Sequence, residues 1–274
     1  MSQAEAGALD SLAVPLADFA ETTVTHEGVT RIVYRRGQGP GVVVMHEVPG
    51  ITPPVAAFGR RVADAGFTVF MPHLFGVPGR PLTPGYGVAE LARCCVRKEF
   101  AVLAARRSSP VTSWLRALCR SVHAELGGRG VGAIGMCMTG NFALALMVDE
   151  AVMAPVLCQP SLPFPLGAER RCGLHLSDAD LVRVKARVSS GAVKVLGLRF
   201  TADRMVPRQR FARLRSELGT GFEAIEIDSS RGNAHDIPIT AHSVVTNDLV
   251  DREGHPTREA LDRVIEFFCE RLKE

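Results

Sequence analysis

The sequence predicts an α/β protein whose central sheet is mostly parallel and carries helices on both faces. Short apolar runs alternate with longer amphipathic runs from residue 42 to the C-terminus, which is typical of repeated β–α–β units. The run 42–45 is apolar throughout, as expected of a strand that is buried on both faces. Polar residues follow most of these runs, and parallel sheets bind their ligands beyond the carboxyl ends of the strands.

The individual elements are predicted from apolar periodicity and from the turn residues that flank it. Residues 22–34 alternate as a strand does, with a turn signal at Glu27-Gly28. The other predicted strands are 42–45, 67–71, 131–134, 151–157, 193–198 and 222–227. The predicted helices are 54–65, 88–105, 111–126, 141–148, 178–188, 207–218 and 256–272. The Pro-rich stretches 72–87 and 160–171 are predicted to be loops.

Composition narrows the class of protein. The chain has 274 residues, of which 46% are hydrophobic and 22% charged, and its formal net charge is +3. This length suits one large domain. We therefore predict a single domain over residues 1–274, with residues 1–20 as a peripheral or flexible N-terminal segment. The basic residues are scattered rather than massed, so nucleic-acid binding has no compositional support.

Compartment and cofactors are predicted from what the sequence lacks. No apolar run reaches the roughly 18–20 residues that span a bilayer, and the N-terminus has no secretory signal pattern. The seven cysteines show no regular spacing, so we expect reduced thiols in a cytoplasmic protein without membrane association. No cluster has metal-ligand spacing, and no Gly-rich phosphate loop follows the first core strand. We expect neither a metal nor a cofactor.

The segment Gly135-Met136-Cys137-Met138-Thr139-Gly140 has the pattern of a nucleophile elbow, which is a sharp turn between a strand and a helix. Small flanking residues make room for the strained backbone that lifts the nucleophile above the sheet. Free N–H groups at the start of the following helix favour a thiolate and, later, an oxyanion. Cys137 is therefore the candidate nucleophile.

An acid and a histidine follow later strands of the predicted sheet. Asp203 and His235 each come after a strand, and the chain order Cys137, Asp203, His235 is that of an α/β-hydrolase triad. We expect His235 to exchange a proton with the thiol and Asp203 to fix the imidazole tautomer. The backbone N–H groups of Val48 and Met138 would form the oxyanion hole.

Four motifs resemble those of the dienelactone hydrolase family of α/β-hydrolases. They are Glu47-Val48-Pro49-Gly50, Gly135-x-Cys137-x-Thr139-Gly140, Asp203-Arg204-Met205-Val206-Pro207 and Ala234-His235. The similarity runs from about residue 42 to the C-terminal helix. It implies an α/β-hydrolase fold and the hydrolysis of a small ester or lactone, as by a carboxymethylenebutenolidase, through an acyl-enzyme on Cys137.

The same resemblance implies a thiol-modulating role for Glu47. This carboxylate would contact the resting thiol and swing away when substrate binds, and its charge would keep the thiol protonated until then. Two positions depart from the family pattern. Thr139 stands where the family has glycine, and Ile239 stands four residues after His235, where members that bind a dienelactone carboxylate have arginine.

Other polar residues are candidates for substrate binding; they are His73, Arg97, Asn233 and His242. The last of these lies in the long 236–255 connection. We expect a small-molecule ester or lactone as the partner, and a monomer or homodimer as the assembly. Two alternatives stay open. The fold could serve an acyl transferase, cyclase or lyase, or it could bind a ligand without catalysis.

Overall fold

A mostly parallel sheet lies at the centre of the protein, as predicted. The computed structural model describes residues 16–100, 103, 104, 106 and 108–273. Within them, the sheet has the strand order β1-β2-β4-β3-β5-β6-β7-β8. The strands are β1 (Ala20–His26), β2 (Val29–Gly37), β3 (Gly41–Met45), β4 (Thr68–Pro72), β5 (Val131–Met136), β6 (Val152–Cys158), β7 (Val195–Phe200) and β8 (Phe222–Ile227). From β4 onward in this order every pair is parallel, whereas β2 pairs antiparallel with both β1 and β4.

Helices connect the strands and cover both faces of the sheet. They are α1 (Pro53–Asp64), α2 (Pro84–Val96), α3 (Val111–Leu126), α4 (Gly140–Leu146), α5 (Ala168–Cys172), α6 (Asp178–Ser189), α7 (Arg208–Leu218) and α8 (Pro256–Leu272). The 3₁₀ turn Cys137–Thr139 joins β5 to α4, and Gly219–Gly221 joins α7 to β8. Most of the predicted bounds lie within two residues of these.

The core consists of two apolar layers, one on each face of the sheet. Val43 and Met45 of β3 belong to the layer that also contains apolar residues of α3, α4, α6 and α7. Val42 and Val44 belong to the opposite layer, together with α1 and α8. Side chains alternate between the faces of a strand, and both faces of β3 are covered. This explains why its sequence is apolar without interruption.

The first two strands form an antiparallel hairpin around the predicted turn signal. Glu27 and Gly28 have positive φ angles of 49° and 77°, which suits the tight turn of a two-residue hairpin. Residues 1–15 of the predicted N-terminal segment lie outside the described residues. Leu16 and Phe19, which follow them, are buried in the layer that includes α1.

The largest difference from the predicted helices is at α2. This helix begins four residues earlier than expected because Thr83 caps it, accepting a hydrogen bond from the Tyr86 N–H at 3.3 Å, with Pro84 in the first turn. The helix ends at Val96, and residues 97–100 turn away. Residues 101, 102 and 105 of the predicted helix lie outside the described part of the chain.

A buried arginine holds the Pro-rich connection after β6. Arg210 is fully buried, and its guanidinium donates hydrogen bonds to four backbone carbonyls. The acceptors are Pro160 and Pro163 at 2.6 Å each, Gly173 at 2.9 Å and Arg170 at 3.0 Å. Burial lowers the pKa of this guanidinium to about 9, so it stays charged at neutral pH. The loop therefore has a fixed shape where it passes the carboxyl end of β5.

We expect Arg210→Met to lower the free energy of unfolding by about 3–5 kcal/mol, because four buried carbonyls lose their donor. Urea denaturation measures this. Arg213→Met is the matched control on the same helix. Arg213 pairs with Glu217 at 3.4 Å in a partly exposed position, so its loss should cost less than about 1 kcal/mol. Equal costs for the two variants would contradict this role for Arg210.

Candidate active site

The backbone around Cys137 has the geometry of a nucleophile elbow. Cys137 directly follows β5 and has a positive φ of 55°, which is rare for a residue other than glycine. A Cβ atom at Gly135 would lie 2.0 Å from the Thr139 carbonyl oxygen, and one at Gly140 would lie 2.6 Å from Pro160 Cα. Both glycines are therefore required by close backbone approach, as the motif predicts.

The threonine that departs from the family pattern ties the elbow to β3. Thr139 is fully buried, and its hydroxyl accepts a hydrogen bond from the Met136 N–H at 2.9 Å. The same oxygen lies 2.9 Å from the Met45 carbonyl oxygen and 3.2 Å from that of His46, to which it can donate. This side chain thus fixes the nucleophile turn against the loop that begins at the end of β3.

Two side chains meet the Cys137 thiol. The Ser161 hydroxyl oxygen is 3.5 Å from Sγ, and the Ser161 N–H donates to the Cys137 carbonyl at 3.0 Å. The imidazole of His242 lies near enough for the charge of Cys137 to act on it. Ser161 is fully buried in the connection that Arg210 holds. It was not predicted, and no motif in the Pro-rich sequence around it marks it.

Asp203 orients His242, as it was expected to orient a histidine. Asp203 Oδ2 lies 2.7 Å from His242 Nδ1, and Oδ1 accepts the Met205 N–H at 2.8 Å. The side chain of Asp203 is only 5% exposed. With Nδ1 committed to the carboxylate, Nε2 is the nitrogen left for Cys137. The imidazole is therefore hydrogen-bonded to the carboxylate on one side and has its other nitrogen free for the thiol.

The electrostatics of this chain favour a charged imidazole. Burial alone would lower the pKa of His242. The interactions of the imidazole with Cys137 and with Asp203, to which it is hydrogen-bonded, outweigh burial and raise the pKa of His242 well above its usual value. The site thus favours a proton on His242.

The predicted partner of Cys137 was His235, and the structure corrects this. His235 is exposed, and its ring stands against that of His255 with the centroids 5.4 Å apart. It lines a separate cavity of about 520 Å³ beside β8 and α8. His242, which was predicted to bind substrate, occupies the position between Asp203 and Cys137 instead.

The prediction failed because the Ala-His motif occurs twice after β8. Ala234-His235 comes first, and Ala241-His242 follows in the same long connection. The histidine of the second copy is the one that hydrogen-bonds to Asp203. Asp248 accepts the N–H groups of both His242 and Ser243 at 2.8 Å. Spacing alone does not separate the two copies, since either histidine lies on the loop after the last strand.

Glu47 lies in the loop after β3, close to this segment. Its carboxylate is buried, with 2% of the residue exposed. Hydrogen bonds to it come from the residue directly after β6 and from the segment after His242; the donors are Gln159, Ser243, Thr246 and Asn247. The hydrogen bond to Cys137 that the family resemblance implies is not among them.

The preceding residue, His46, shapes the same loop. Nδ1 lies 3.0 Å from the Glu47 carbonyl oxygen, and Nε2 accepts the Leu74 N–H at 3.1 Å. Complete burial lowers the pKa of His46 to about 3, so the ring is neutral and donates from Nδ1. The loop that carries Val48 is thereby held beside the elbow that carries Met138.

A family model for the dienelactone hydrolase family matches residues 29–272. The chain belongs to this family. A Saccharomyces cerevisiae protein that carries an assignment as a carboxymethylenebutenolidase is 27% identical over 203 residues, which are 71% of this chain and 69% of that protein. As a member of the dienelactone hydrolase family, the chain is a hydrolase that acts on carboxylic ester or lactone bonds.

Solved structures of the family share the fold. A dienelactone hydrolase from Anabaena variabilis superposes with a TM-score of 0.59 at 15% identity, covering 93% of this chain and 100% of that one. A cold-adapted esterase from an Arctic intertidal metagenomic library gives a TM-score of 0.54 at 16% identity, covering 94% and 96%. The predicted α/β-hydrolase fold is confirmed.

His73 and Arg97, two more of the predicted substrate-binding residues, bind other groups of this protein. His73 Nε2 lies 2.9 Å from the Gly76 carbonyl oxygen. Arg97 forms an ion pair with Glu99 and donates to the Leu74 carbonyl at 3.4 Å. These contacts hold together the segments between β4 and α3. Both side chains therefore have partners within the protein.

Asn233 shapes the first part of the connection after β8. Its amide nitrogen donates to the carbonyls of Ser230 and Ile237 at 2.9 and 2.8 Å. Its oxygen accepts the N–H groups of His235 and Ile237 at 3.1 and 3.0 Å. All of these partners are backbone groups, so this side chain stabilises a turn around His235.

The described ranges contain no group of three or more His, Cys, Asp or Glu side chains that could hold a metal ion. No helix within those ranges combines the length and apolar character needed to cross a membrane.

We expect Thr139→Val to weaken both stability and the nucleophile turn. It keeps the side-chain volume but leaves the buried Met136 N–H without its acceptor, which should lower the free energy of unfolding by about 1–3 kcal/mol. Thr139→Ser keeps the hydroxyl and is the control. Urea denaturation and ester turnover measure the two effects. A valine variant as stable and active as the serine variant would show that the hydroxyl has no such role.

Proposed function

We propose that this chain is a cysteine hydrolase of small esters or lactones that works through an acyl-enzyme on Cys137. The hydrogen bond from His242 to Asp203, beside a cysteine whose charge acts on the same imidazole, carries the proposal. A nucleophile, a base within reach of it, and a third group that orients the base are the parts that covalent acyl transfer requires. His242 replaces His235 in this mechanism.

In the acylation step, the Cys137 thiolate attacks the carbonyl carbon of the ester. The N–H groups of Val48 and Met138 are the proposed donors to the resulting oxyanion, since one follows β3 and the other follows the nucleophile. His242 then gives its Nε2 proton to the leaving alkoxide, and the C–O bond breaks. Asp203 stays ionised and keeps the Nδ1 proton directed towards itself.

In the deacylation step, neutral His242 takes a proton from water. The hydroxide formed attacks the thioester carbonyl on Cys137, and the carboxylic acid leaves as sulfur regains its negative charge and His242 its proton. No group other than the three side chains and the two backbone donors takes part. Thiol nucleophiles suit esters with good leaving groups, such as enol esters and lactones.

A cavity next to the site supports a small substrate. Its volume is about 410 Å³, and it is lined by Ala202, Asp203, Arg204, Met205, Ile239, Thr240 and His242. Met205 and Ile239 expose apolar surface there, with 36% and 46% of each residue accessible. These side chains would contact the apolar part of an ester.

Family members carry an arginine four residues after the catalytic histidine. With His242 in place of His235, a different residue of this chain corresponds to that arginine. Four residues after His242 stands Thr246, not Ile239, and its hydroxyl binds Glu47. The proposed site therefore has no cation at this position. The cation that lines the adjacent cavity is Arg204, and it is the candidate to meet a substrate carboxylate.

The two histidines offer a matched test of the proposed base. We expect His242→Asn to lower kcat/KM for p-nitrophenyl acetate by about 10²–10⁴-fold, because the thiol loses its base. His235→Asn, which changes an exposed ring outside the site, should stay within about twofold of wild type, as surface changes normally do. Cys137→Ala should abolish turnover, and intact-mass spectrometry should show an added acyl group on wild type only. The opposite ranking of the two histidine variants would overturn the assignment.

Isotopic water distinguishes hydrolysis from the alternative reactions. Turnover in H₂¹⁸O should place one ¹⁸O in the carboxylate product, because water cleaves the thioester. A product without label would indicate acyl transfer, cyclisation or elimination on the same fold. Alkylation of Cys137 that leaves ligand binding intact and removes no activity would indicate a binding protein.

The raised pKa of His242 predicts a shift in the pH profile. Protonated His242 is needed for the leaving group, so kcat/KM for an alkyl ester should fall at high pH as that proton is lost. Asp203 raises the pKa of His242, and Asp203→Asn therefore lowers it. We expect the alkaline limb to move by about one unit or more to lower pH, with a loss of about 10²–10⁴-fold in rate. An unmoved limb would exclude His242 as the titrating group.

A further inference from the structure

Glu47 is a buried carboxylate held by neutral groups only. Ser243 Oγ and Gln159 Nε2 lie 2.7 and 3.3 Å from Oε2. Asn247 Nδ2 lies 3.0 Å from Oε1, which also accepts the Thr246 hydroxyl. No lysine or arginine in the described ranges forms an ion pair with it. Both oxygens are thus fully occupied in the resting structure.

Three of the four donors follow His242 within five residues. Ser243, Thr246 and Asn247 belong to one segment, 242–248, about 200 positions from Glu47 in the chain. The segment is also closed on itself, because Asp248 at its end accepts the backbone N–H groups of His242 and Ser243 at its start. The imidazole is therefore carried by a short segment that two carboxylates fix, and one of them belongs to the loop of the proposed oxyanion donor Val48.

The fourth donor extends the same network to β6. Gln159 gives its amide hydrogen to Glu47, while its oxygen accepts the Val244 N–H at 3.4 Å and the Cys158 thiol at 2.6 Å. Movement of the Glu47 carboxylate towards Cys137 would break all four hydrogen bonds. It would leave the buried donors of Ser243, Thr246 and Gln159 without partners, which is costly, whereas the exposed Asn247 amide could bond to water.

We propose that Glu47 is a fixed positioning residue, whose carboxylate locks segment 242–248 against the β3 loop and stays there through turnover. The Cys137–His242 pair is then assembled before substrate binds. This rests on the proposed function, in which His242 is the base. It replaces the role that the family resemblance implied, in which the carboxylate contacts the thiol and keeps it protonated.

The two roles predict opposite effects of Glu47→Gln on the resting thiol. Glutamine keeps the size but presents an amide to donors that need an acceptor. If Glu47 positions His242, alkylation of Cys137 by iodoacetamide at pH 7 should become about tenfold slower, and kcat for p-nitrophenyl acetate should fall with little change in KM. If Glu47 suppresses the thiolate, removal of its charge should make alkylation faster, and this result would overturn the proposal. Glu253→Gln, an exposed change in the same connection, should alter neither rate.

Thr246 provides rescue by a conservative variant. Thr246→Val removes one donor and should lower kcat in the same direction as Glu47→Gln, whereas Thr246→Ser keeps the hydroxyl and should restore it. In the Thr246→Val background, adding Glu47→Gln should not speed alkylation, because both changes act on one contact. Faster alkylation in the double variant would show that the freed carboxylate acts on the thiol.

Failure of the proposed function would look different, since His242→Asn would then retain full turnover whatever Glu47 does.

Discussion

The hydrogen bond between His242 and Asp203 is the contact on which the site depends, since it joins two loops that are distant in the chain. Asp203 lies in the loop after β7, and its carboxylate accepts a hydrogen bond from the Met205 N–H. It therefore offers the imidazole a fixed acceptor. The carboxylate sets which ring nitrogen faces the thiol and helps to keep the ring charged. Without this contact the elbow would present a strained cysteine with no base. The fold brings the parts together because the carboxyl ends of its parallel strands meet at one edge.

Charge is buried in two places near the site, and neutral partners surround it in both. Arg210 is enclosed by carbonyls of the loop that carries Ser161, and Glu47 is enclosed by side-chain donors that follow His242. A buried charge with its hydrogen bonds complete is costly to move, because every partner loses its bond at once. The two residues thereby fix the shapes of the two loops that touch the thiol.

The local backbone explains why the nucleophile segment was recognisable. The positive φ at Cys137 and the close contacts at two glycines restrict which residues can stand in this turn. The motif therefore consists of neighbouring residues and can be found from the sequence. Thr139 replaces a glycine of the family pattern without loss of the turn, since its hydroxyl satisfies the Met136 N–H. A departure from a motif can thus be a gain in hydrogen bonding.

The sequence by itself determined the parallel sheet, most helix bounds, the strained turn at Cys137 and the place of Asp203 after a strand. These features depend on periodicity, on capping and on strain, which are local or repeat along the chain. It did not determine which of two Ala-His pairs meets Asp203, nor the partners of Glu47, nor the presence of Ser161 at the thiol. Those are contacts between segments far apart in the chain, and similar residues stand at both candidate positions. Only the packing of the loops against the sheet edge decides between them, because the buried carboxylates of Asp203 and Glu47 find their partners on the segment that carries His242 and not around His235.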